Sequence, residues 1–229
     1  MSIVTAYQRL QKVSSIVISD RLVFETPADY IRDCINATQR RLHLRPLSDV
    51  QAQAFWTDRS TRKRKLPGSM GFQGDPNIWW SMYHTHDTPN ARYQVTKVRS
   101  DADKAIARFR HLGKNVHIVS PEVDSIIRAQ IALVDENLTC WSVSNGEPLG
   151  GGFDVGSLGA ILSKDGCYDR PDRVAVIGST SEFALAAYSR NVGFIYFKTG
   201  EGDIAVSMFA DAGEVGRWDH IFLAFSTSD

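Results

Sequence analysis

The sequence predicts a three-layer α/β fold, in which a parallel β-sheet is covered by helices on both faces and interrupted by an inserted, mainly helical segment. From residue 101 onward, short apolar runs alternate with segments of helical periodicity. The apolar runs have no polar face, which is typical of strands in a buried parallel sheet. Residues 57–98 interrupt this regularity, because they are rich in Gly, Pro, Asn and Asp and carry scattered aromatic residues.

The N-terminal part of the core is predicted from one strand and its neighbouring helices. The β-branched run at residues 15–19 indicates a short buried strand. Thr26 and Pro27 mark the start of the next helix, because Thr caps helices and Pro suits the first helical position. The helices predicted in this part of the chain are residues 4–12, 26–44 and 48–56.

Helices and strands alternate regularly in the second half of the chain. The predicted helices are residues 101–113, 121–134, 155–166 and 181–193. The predicted strands are residues 115–120, 138–144, 173–179 and 194–200, and a last helix and short strand fill residues 201–226. Parallel sheets bind ligands at the carboxyl ends of their strands. The candidate ligand-binding positions are therefore the last residues of four strands, namely Ser19, Asp20, Ser120, Ser144, Gly178 and Ser179.

Composition limits the classes of partner. Lys and Arg together number 26, as do Asp and Glu, so the net charge is zero and gives no overall attraction to nucleic acid or anionic membranes. A zero net charge favours association, and we expect a protein partner or a homo-oligomer. The three cysteines show no CxxC spacing, and neither a signal peptide nor an apolar run long enough to cross a bilayer is evident, which indicates a cytoplasmic location.

Three stretches together carry a resemblance to a known family. They are "TPADYIRDCINATQRRLHLRPLSD", "DADKAIARFRHLGKNVHIVS" and "RPDRVAVIGSTSEFALAAYSRNVGFIYF". In order and spacing they resemble the start of the cap, the second motif and the acidic motif of the haloacid dehalogenase-like (HAD-like) hydrolase superfamily, especially its phosphoglycolate-phosphatase-like group. The resemblance implies a Rossmann-like core of residues 1–27 and 99–229 and a cap of residues 28–98.

The resemblance also implies a phosphatase site of which only parts are present. In the family, an Asp that ends the first strand attacks phosphorus, and an Asp two residues later acts as general acid and base. When the sequences are aligned on "ETP", Asp20 takes the second of these positions and Ile18 takes the nucleophile position. Ser120 matches the phosphate-holding residue of the second motif. The third-motif Lys falls near Gly152, which leaves Lys164 as the candidate close to it in sequence.

The acidic motif, which binds Mg²⁺ in the family, reads "GSTSEF", so both expected acids are missing and Glu182 is the carboxylate left beside them. We therefore expect a catalytically degenerate HAD-like protein that binds Mg²⁺ weakly or not at all and has a binding, regulatory or assembly role. On this alignment, Asp at positions 18 and 179 would restore hydrolysis. The alternative is an active phosphatase, with Asp20 as the nucleophile and acids relocated from elsewhere, although position 22 then carries Leu.

The inserted segment contains a candidate metal site. His84 and His86 in "HTHD" have the spacing of two Zn²⁺ ligands on one face of a strand. The same residues are equally compatible with a polar loop that binds no metal. No third ligand is evident from the sequence.

Two other stretches of the insert are candidates for partner binding. The basic run contains Arg62, Lys63, Arg64 and Lys65, which bind an anionic partner or lie in a solvated loop. Nucleic acid is disfavoured as that partner because the rest of the chain is not basic. Trp79 and Trp80 form either the core of the cap or a partner surface. We predict that residues 59–87 form a surface for self-association or partner binding.

Overall fold

A six-stranded parallel sheet lies at the centre of the computed structural model, which describes residues 3–48, 50–51, 66–143, 153–198 and 214–218. The strands lie in the order β5–β4–β1–β6–β7–β8. They are β1 (Ser15–Ser19), β4 (Asn115–Ser120), β5 (Thr139–Ser142), β6 (Val174–Gly178), β7 (Gly193–Phe197) and β8 (Glu214–Val215). A separate antiparallel ribbon pairs β2 (Phe24–Glu25) with β3 (Lys97–Val98). The predicted parallel sheet is confirmed.

Helices cover both faces of this sheet, and other helices form the insert between β2 and β3. The helices with described bounds are α1 (Ile3–Lys12), α2 (Ala28–Arg41), α3 (Leu66–Ser69), α4 (Pro76–Tyr83), α5 (Pro89–Val95), α6 (Ala102–His111), α7 (Asp124–Ile131), α8 (Val155–Lys164) and α9 (Ser181–Ser189). The predicted core helices are confirmed, but several are shorter than predicted. For example, α2 begins after Pro27, whose extended backbone makes it the residue before the helix. The predicted helix at 48–56 lies mostly outside the described residues.

The alternation of side chains along the strands divides the core into two layers. Ile16 and Ile18 of β1 face a layer shared with α6 and α7, where Ile106 and Ile127 are also buried. Val17 faces the opposite layer, which is formed with α8 and α9. All five residues of β1 are buried, as expected for a central strand covered on both faces. Among the described residues, no helix has the length and apolar character that crossing a bilayer requires.

The cap is the helical segment between β2 and β3. Its core brings α2 and α4 together through residues that include Ile35, Trp79 and Tyr83. The predicted helical character of the insert is confirmed, whereas the Gly- and Pro-rich residues 57–98 are more regular than their composition indicates, because two ordinary helix starts lie within them. Asp75 accepts a hydrogen bond from the Asn77 backbone N–H at the start of α4, and Thr88 caps α5 in the same way. Each cap is followed by Pro at the first helical position, a signal of helix initiation that the aromatic and Gly-rich context obscured.

Candidate functional site

Asp20 and Ser120 meet at the carboxyl end of the central strands. Ser19 of β1 is paired with Val119 of β4, so the residues that follow them, Asp20 and Ser120, lie level with each other. The Ser120 hydroxyl donates a hydrogen bond to Asp20 Oδ2 at 2.5 Å. Both residues are buried, and Asp20 is 8% exposed. The structure therefore brings together the two positions that the sequence selected from different strands.

Backbone contacts fix this pair in place. A 3-10 turn follows β1, in which the Val23 N–H donates to the Asp20 carbonyl oxygen at 2.9 Å. On the other strand, the Glu122 N–H donates to Ser120 Oγ at 3.1 Å. The Ser142 hydroxyl in turn donates to the Glu122 carbonyl oxygen at 2.6 Å. Glu122 is a site residue that the sequence reading missed, although it is the acid two positions after Ser120.

Ile18 lies in the hydrophobic core, not at the edge of the sheet. It is paired with Ile118 and Ile177 on the neighbouring strands and is 0% exposed. The position level with Ser120 is that of Asp20, two residues further along the chain. This placement corrects the expectation from the "ETP" alignment that Asp at positions 18 and 179 would restore hydrolysis. An Asp at position 18 would be a carboxylate buried among aliphatic side chains.

Leu22, two residues after Asp20, contributes neither an acid nor an accessible carbonyl group. Its side chain is 0% exposed and belongs to the core layer beneath α6. Its backbone carbonyl oxygen accepts a hydrogen bond from the Trp218 indole N–H at 3.2 Å. Trp218 is itself buried against Phe109 and Phe197. Position 22 is therefore part of the packed core.

The end of β6 supplies hydroxyl groups in place of the expected acids. Ile177 is paired with Ile18, so Ser179 lies level with Asp20 on the other side of β1. Ser179 is buried, and the buried Thr180 hydroxyl has no hydrogen-bond partner among the described residues. Glu182 lies in the first turn of α9 and is half-buried. A Cβ at Gly178 would approach Phe183 Cβ to 2.7 Å, so glycine is needed for close packing of the strand against the helix.

Lys164 and Ser19 do not join this group. Lys164 ends α8, and its Nζ lies 5.1 Å from the centre of the Trp141 ring. The next residue, Asp165, contacts Ser15 at the start of β1, which places this segment towards the amino ends of the strands. Ser19 is the fully buried last residue of β1. Ser144 and Gly152 lie outside the described residues.

The two histidines of the insert do not have the arrangement predicted for Zn²⁺ ligands. His84 and His86 lie in the turn after α4 and not on a strand, and Asp87 of the same motif is paired with Arg92. No group of three or more His, Cys, Asp or Glu side chains arranged to hold a metal occurs in the part of the chain that the structure describes.

Trp79 and Trp80 are 0% and 4% exposed, so of the two alternatives they form the core of the cap, and their inclusion in the predicted partner surface is wrong. The Trp79 indole N–H donates to Gln39 Oε1 at 2.9 Å inside the cap core. The two indole rings contact each other edge to face, with ring centres 4.9 Å apart. The basic residues Arg62, Lys63, Arg64 and Lys65 lie outside the described residues, so their role stays a prediction.

Comparison with known proteins identifies the fold. No family model matches the sequence, and no curated protein matches it. Solved structures match almost the whole chain: a HAD-like family hydrolase from Streptococcus pneumoniae has a TM-score of 0.69 and 11% identity over 93% of this chain and 99% of that one. A predicted phosphoglycolate phosphatase from Haemophilus somnus has a TM-score of 0.74 and 9% identity, over 93% and 98% of the two chains. A hydrolase from Pseudomonas syringae has a TM-score of 0.69 and 10% identity, over 94% and 99%.

Proposed function

We propose that this chain, which has the HAD-like fold with a helical cap, binds a ligand at the carboxyl end of its sheet without hydrolysing phosphate esters. The observation that carries the proposal is the packing of Leu22. With Asp20 level with Ser120, a proton donor for the leaving group is expected two residues after Asp20, and that position is occupied by a core leucine. General acid–base catalysis contributes about 10²–10⁴-fold to rate, so its loss alone reduces turnover severely.

The donor groups at this edge also suit Mg²⁺ poorly. Mg²⁺ in proteins is held by carboxylates together with other oxygen ligands. Ser179 and Phe183 stand where the resemblance places the metal-binding acids, and the Leu22 carbonyl oxygen is engaged by Trp218. We propose that any Mg²⁺ binding that depends on Asp20 is weaker than about 1 mM. Titration calorimetry on wild type and Asp20→Asn tests this, and a tighter site that Asp20→Asn abolishes would contradict it.

A second candidate function is that of an active hydrolase with Asp20 as the nucleophile. It is favoured by the hydrogen bond between Ser120 and Asp20, because a nucleophilic carboxylate and a phosphate-holding hydroxyl must converge on the same phosphorus. Two acids follow the ends of strands next to β1: Glu122 follows β4, and Glu182 follows β6. Either would have to replace the missing acid at position 22.

A phosphatase assay separates the two candidates. Wild type, Asp20→Asn and the surface control Asp103→Asn are incubated with a generic aryl phosphate, with and without Mg²⁺. We expect all three to release aryl alcohol at the rate of the buffer blank. Release by wild type and by Asp103→Asn that is lost in Asp20→Asn would reject the first proposal and establish the second.

We also propose that residues 59–65, with the exposed part of the insert, take part in self-association or partner binding. The buried state of Trp79 and Trp80 leaves the basic run as the part of this prediction to be tested. Changing Arg62, Lys63, Arg64 and Lys65 to Glu should lower the sedimentation coefficient if the chain self-associates through them. An unchanged assembly state together with unchanged partner capture would identify a solvated loop.

A further inference from the structure

Arg92 lies at the centre of the junction between the cap and the core. It is 3% exposed and belongs to α5. Its Nε donates to Asp87 Oδ1 at 2.9 Å, and its Nη2 contacts Asp87 Oδ2, so the two side chains form a two-pronged pair. The Tyr30 hydroxyl of α2 also donates to Asp87 Oδ1, at 3.0 Å. This buried carboxylate therefore joins the first and last helices of the cap.

A second carboxylate extends the junction to the core. Arg92 Nη1 lies 3.7 Å from Glu122 Oε1, in the loop that begins directly after Ser120, the last residue of β4. Burial lowers the pKa of Arg92, but the negative charges of Glu122 and Asp87 outweigh this and raise it well above its ordinary value. The guanidinium is thus charged and paired on both sides. Moving the cap away from this loop would leave a buried charge without one of its partners, which is costly.

The two chain segments that connect cap and core are held by one side chain. Gln130 of α7 is buried, and its Nε2 donates to Thr26 Oγ1 at 3.3 Å and to Thr96 Oγ1 at 3.2 Å. Thr26 lies between β2 and α2, whereas Thr96 lies between α5 and β3. The two hydroxyls are also 3.3 Å from each other. A rotation of the cap about these two connections would break the contacts that Gln130 makes with both.

We infer that Arg92 and Gln130 lock the cap on the core, so that the edge carrying Asp20 and Ser120 keeps one arrangement with or without a ligand. Glu122 is held by Arg92 through its side chain and contacts Ser120 Oγ through its backbone N–H. Ser120 in turn donates to Asp20. The position of the cap is thereby coupled to the position of the Asp20 carboxylate. These contacts hold the cap on the core whether or not the edge hydrolyses a substrate.

Hydrogen–deuterium exchange on Glu122→Gln tests the lock. The substitution keeps the shape of the side chain and removes the charge facing Arg92, while Asp87 still neutralises the guanidinium. We expect amide exchange in the connections at residues 24–26 and 96–98 to become about tenfold faster, because local opening no longer separates an ion pair. Exchange in β6, which contributes no residue to the contacts named above, should stay at the wild-type rate.

Asp124→Asn is the matched control. Asp124 lies two residues from Glu122, but its ion pair with Arg128 is on the surface, with side chains 58% and 67% exposed. We expect this variant to exchange at the wild-type rate in both connections. Equal acceleration in the two variants would assign the effect to charge removal near α7 and overturn the lock.

Thr96→Val provides an independent variant for the Gln130 contact. It removes one hydroxyl that Gln130 binds and changes no charge, so it keeps the test decisive if Glu122→Gln does not fold. We expect faster exchange in the same two connections, by a smaller factor than for Glu122→Gln. Wild-type exchange rates there in every variant that keeps a native circular dichroism spectrum would overturn the inference.

Discussion

The two ends of the parallel sheet both bury an aspartate, but they surround it differently. Towards the amino ends of the strands, Asp165 Oδ2 accepts hydrogen bonds from Ser15 Oγ at 2.5 Å and from His117 Nε2 at 2.6 Å. Trp141 Nε1 then donates to His117 Nδ1 at 3.1 Å. Each of these polar side chains has a protein partner. A buried network that is satisfied in this way orders the fold, because no group is left to seek water or a ligand.

At the carboxyl end of the sheet, the hydrogen bonding of the buried side chains is less complete. Asp20 accepts from Ser120, yet the buried Thr180 hydroxyl on the neighbouring strand end has no hydrogen-bond partner in the described part of the chain. Unsatisfied buried groups are rare in folded proteins and reduce stability unless a ligand or water completes them. The two ends of the sheet therefore differ in how completely their buried polar side chains are paired within the described residues.

The largest expected effect comes from removing each aspartate in turn. Asp165→Ala leaves the Ser15 and His117 donors buried without an acceptor, and should lower the free energy of unfolding by about 3 kcal/mol. Asp20→Ala leaves Ser120 with its contact to the Glu122 N–H, and should cost about 1 kcal/mol. Urea denaturation followed by fluorescence measures both values. Equal losses, or a larger loss for Asp20→Ala, would contradict the distinction between the two ends.

A smaller effect is expected from pH. Burial lowers the pKa of His117 below its ordinary value of 6.5, although Asp165 acts to raise it. The indole N–H of Trp141 can only donate, so Nδ1 accepts and the ring is neutral in the folded protein. As the pH falls, the unfolded chain therefore takes up a proton at His117 before the folded chain does. The contribution of neutral His117 to the free energy of unfolding is fully present above about pH 6.5 and is lost progressively below it.

The substitution His117→Gln distinguishes the titration of His117 from that of other groups, because Gln stays neutral at every pH. Unfolding free energies of wild type and His117→Gln are compared between about pH 7.5 and about pH 5. We expect the free energy of unfolding of wild type to exceed that of His117→Gln by a constant amount in the upper part of this range. This difference should shrink towards the lower end of the range. A difference that does not vary with pH would mean that His117 does not titrate in this way.

The smallest effect is expected at the unsatisfied hydroxyl. Thr180→Val removes a buried group that has no partner within the described chain, so stability should be unchanged or rise by up to about 1 kcal/mol. Thr38→Val is the matched comparison, because the fully buried Thr38 hydroxyl donates to the Cys34 carbonyl oxygen at 2.9 Å. That variant should lose about 1 kcal/mol. The same sign and size for both substitutions would show that the Thr180 hydroxyl is satisfied in solution.

Local sequence was sufficient for the elements of the core. The strands β1 and β4 have the predicted bounds, because short β-branched runs between turn residues specify a buried strand without reference to the rest of the chain. The same reasoning placed Asp20 and Ser120 at strand ends that share one edge, since all strands of a parallel sheet point the same way. It could not show that Asp20, and not Ile18, lies level with Ser120, because that depends on the register between strands.

By itself, the sequence determined the α/β alternation, the first helix of the cap and the shortage of acids at the candidate site. The tertiary structure alone decided which polar residues meet. Lys164 is close to the expected third motif in sequence, but a helix between parallel strands runs back along the sheet, so the end of α8 lies towards the amino ends of the strands and away from Asp20. Likewise, the aromatic run that includes Trp79 is compatible with a surface when the sequence is considered alone. In the structure, α2 packs against α4, and Gln39 accepts a hydrogen bond from the Trp79 indole N–H. Local patterns specify the elements because backbone preference and periodicity are local, whereas burial and pairing arise from residues far apart in the chain.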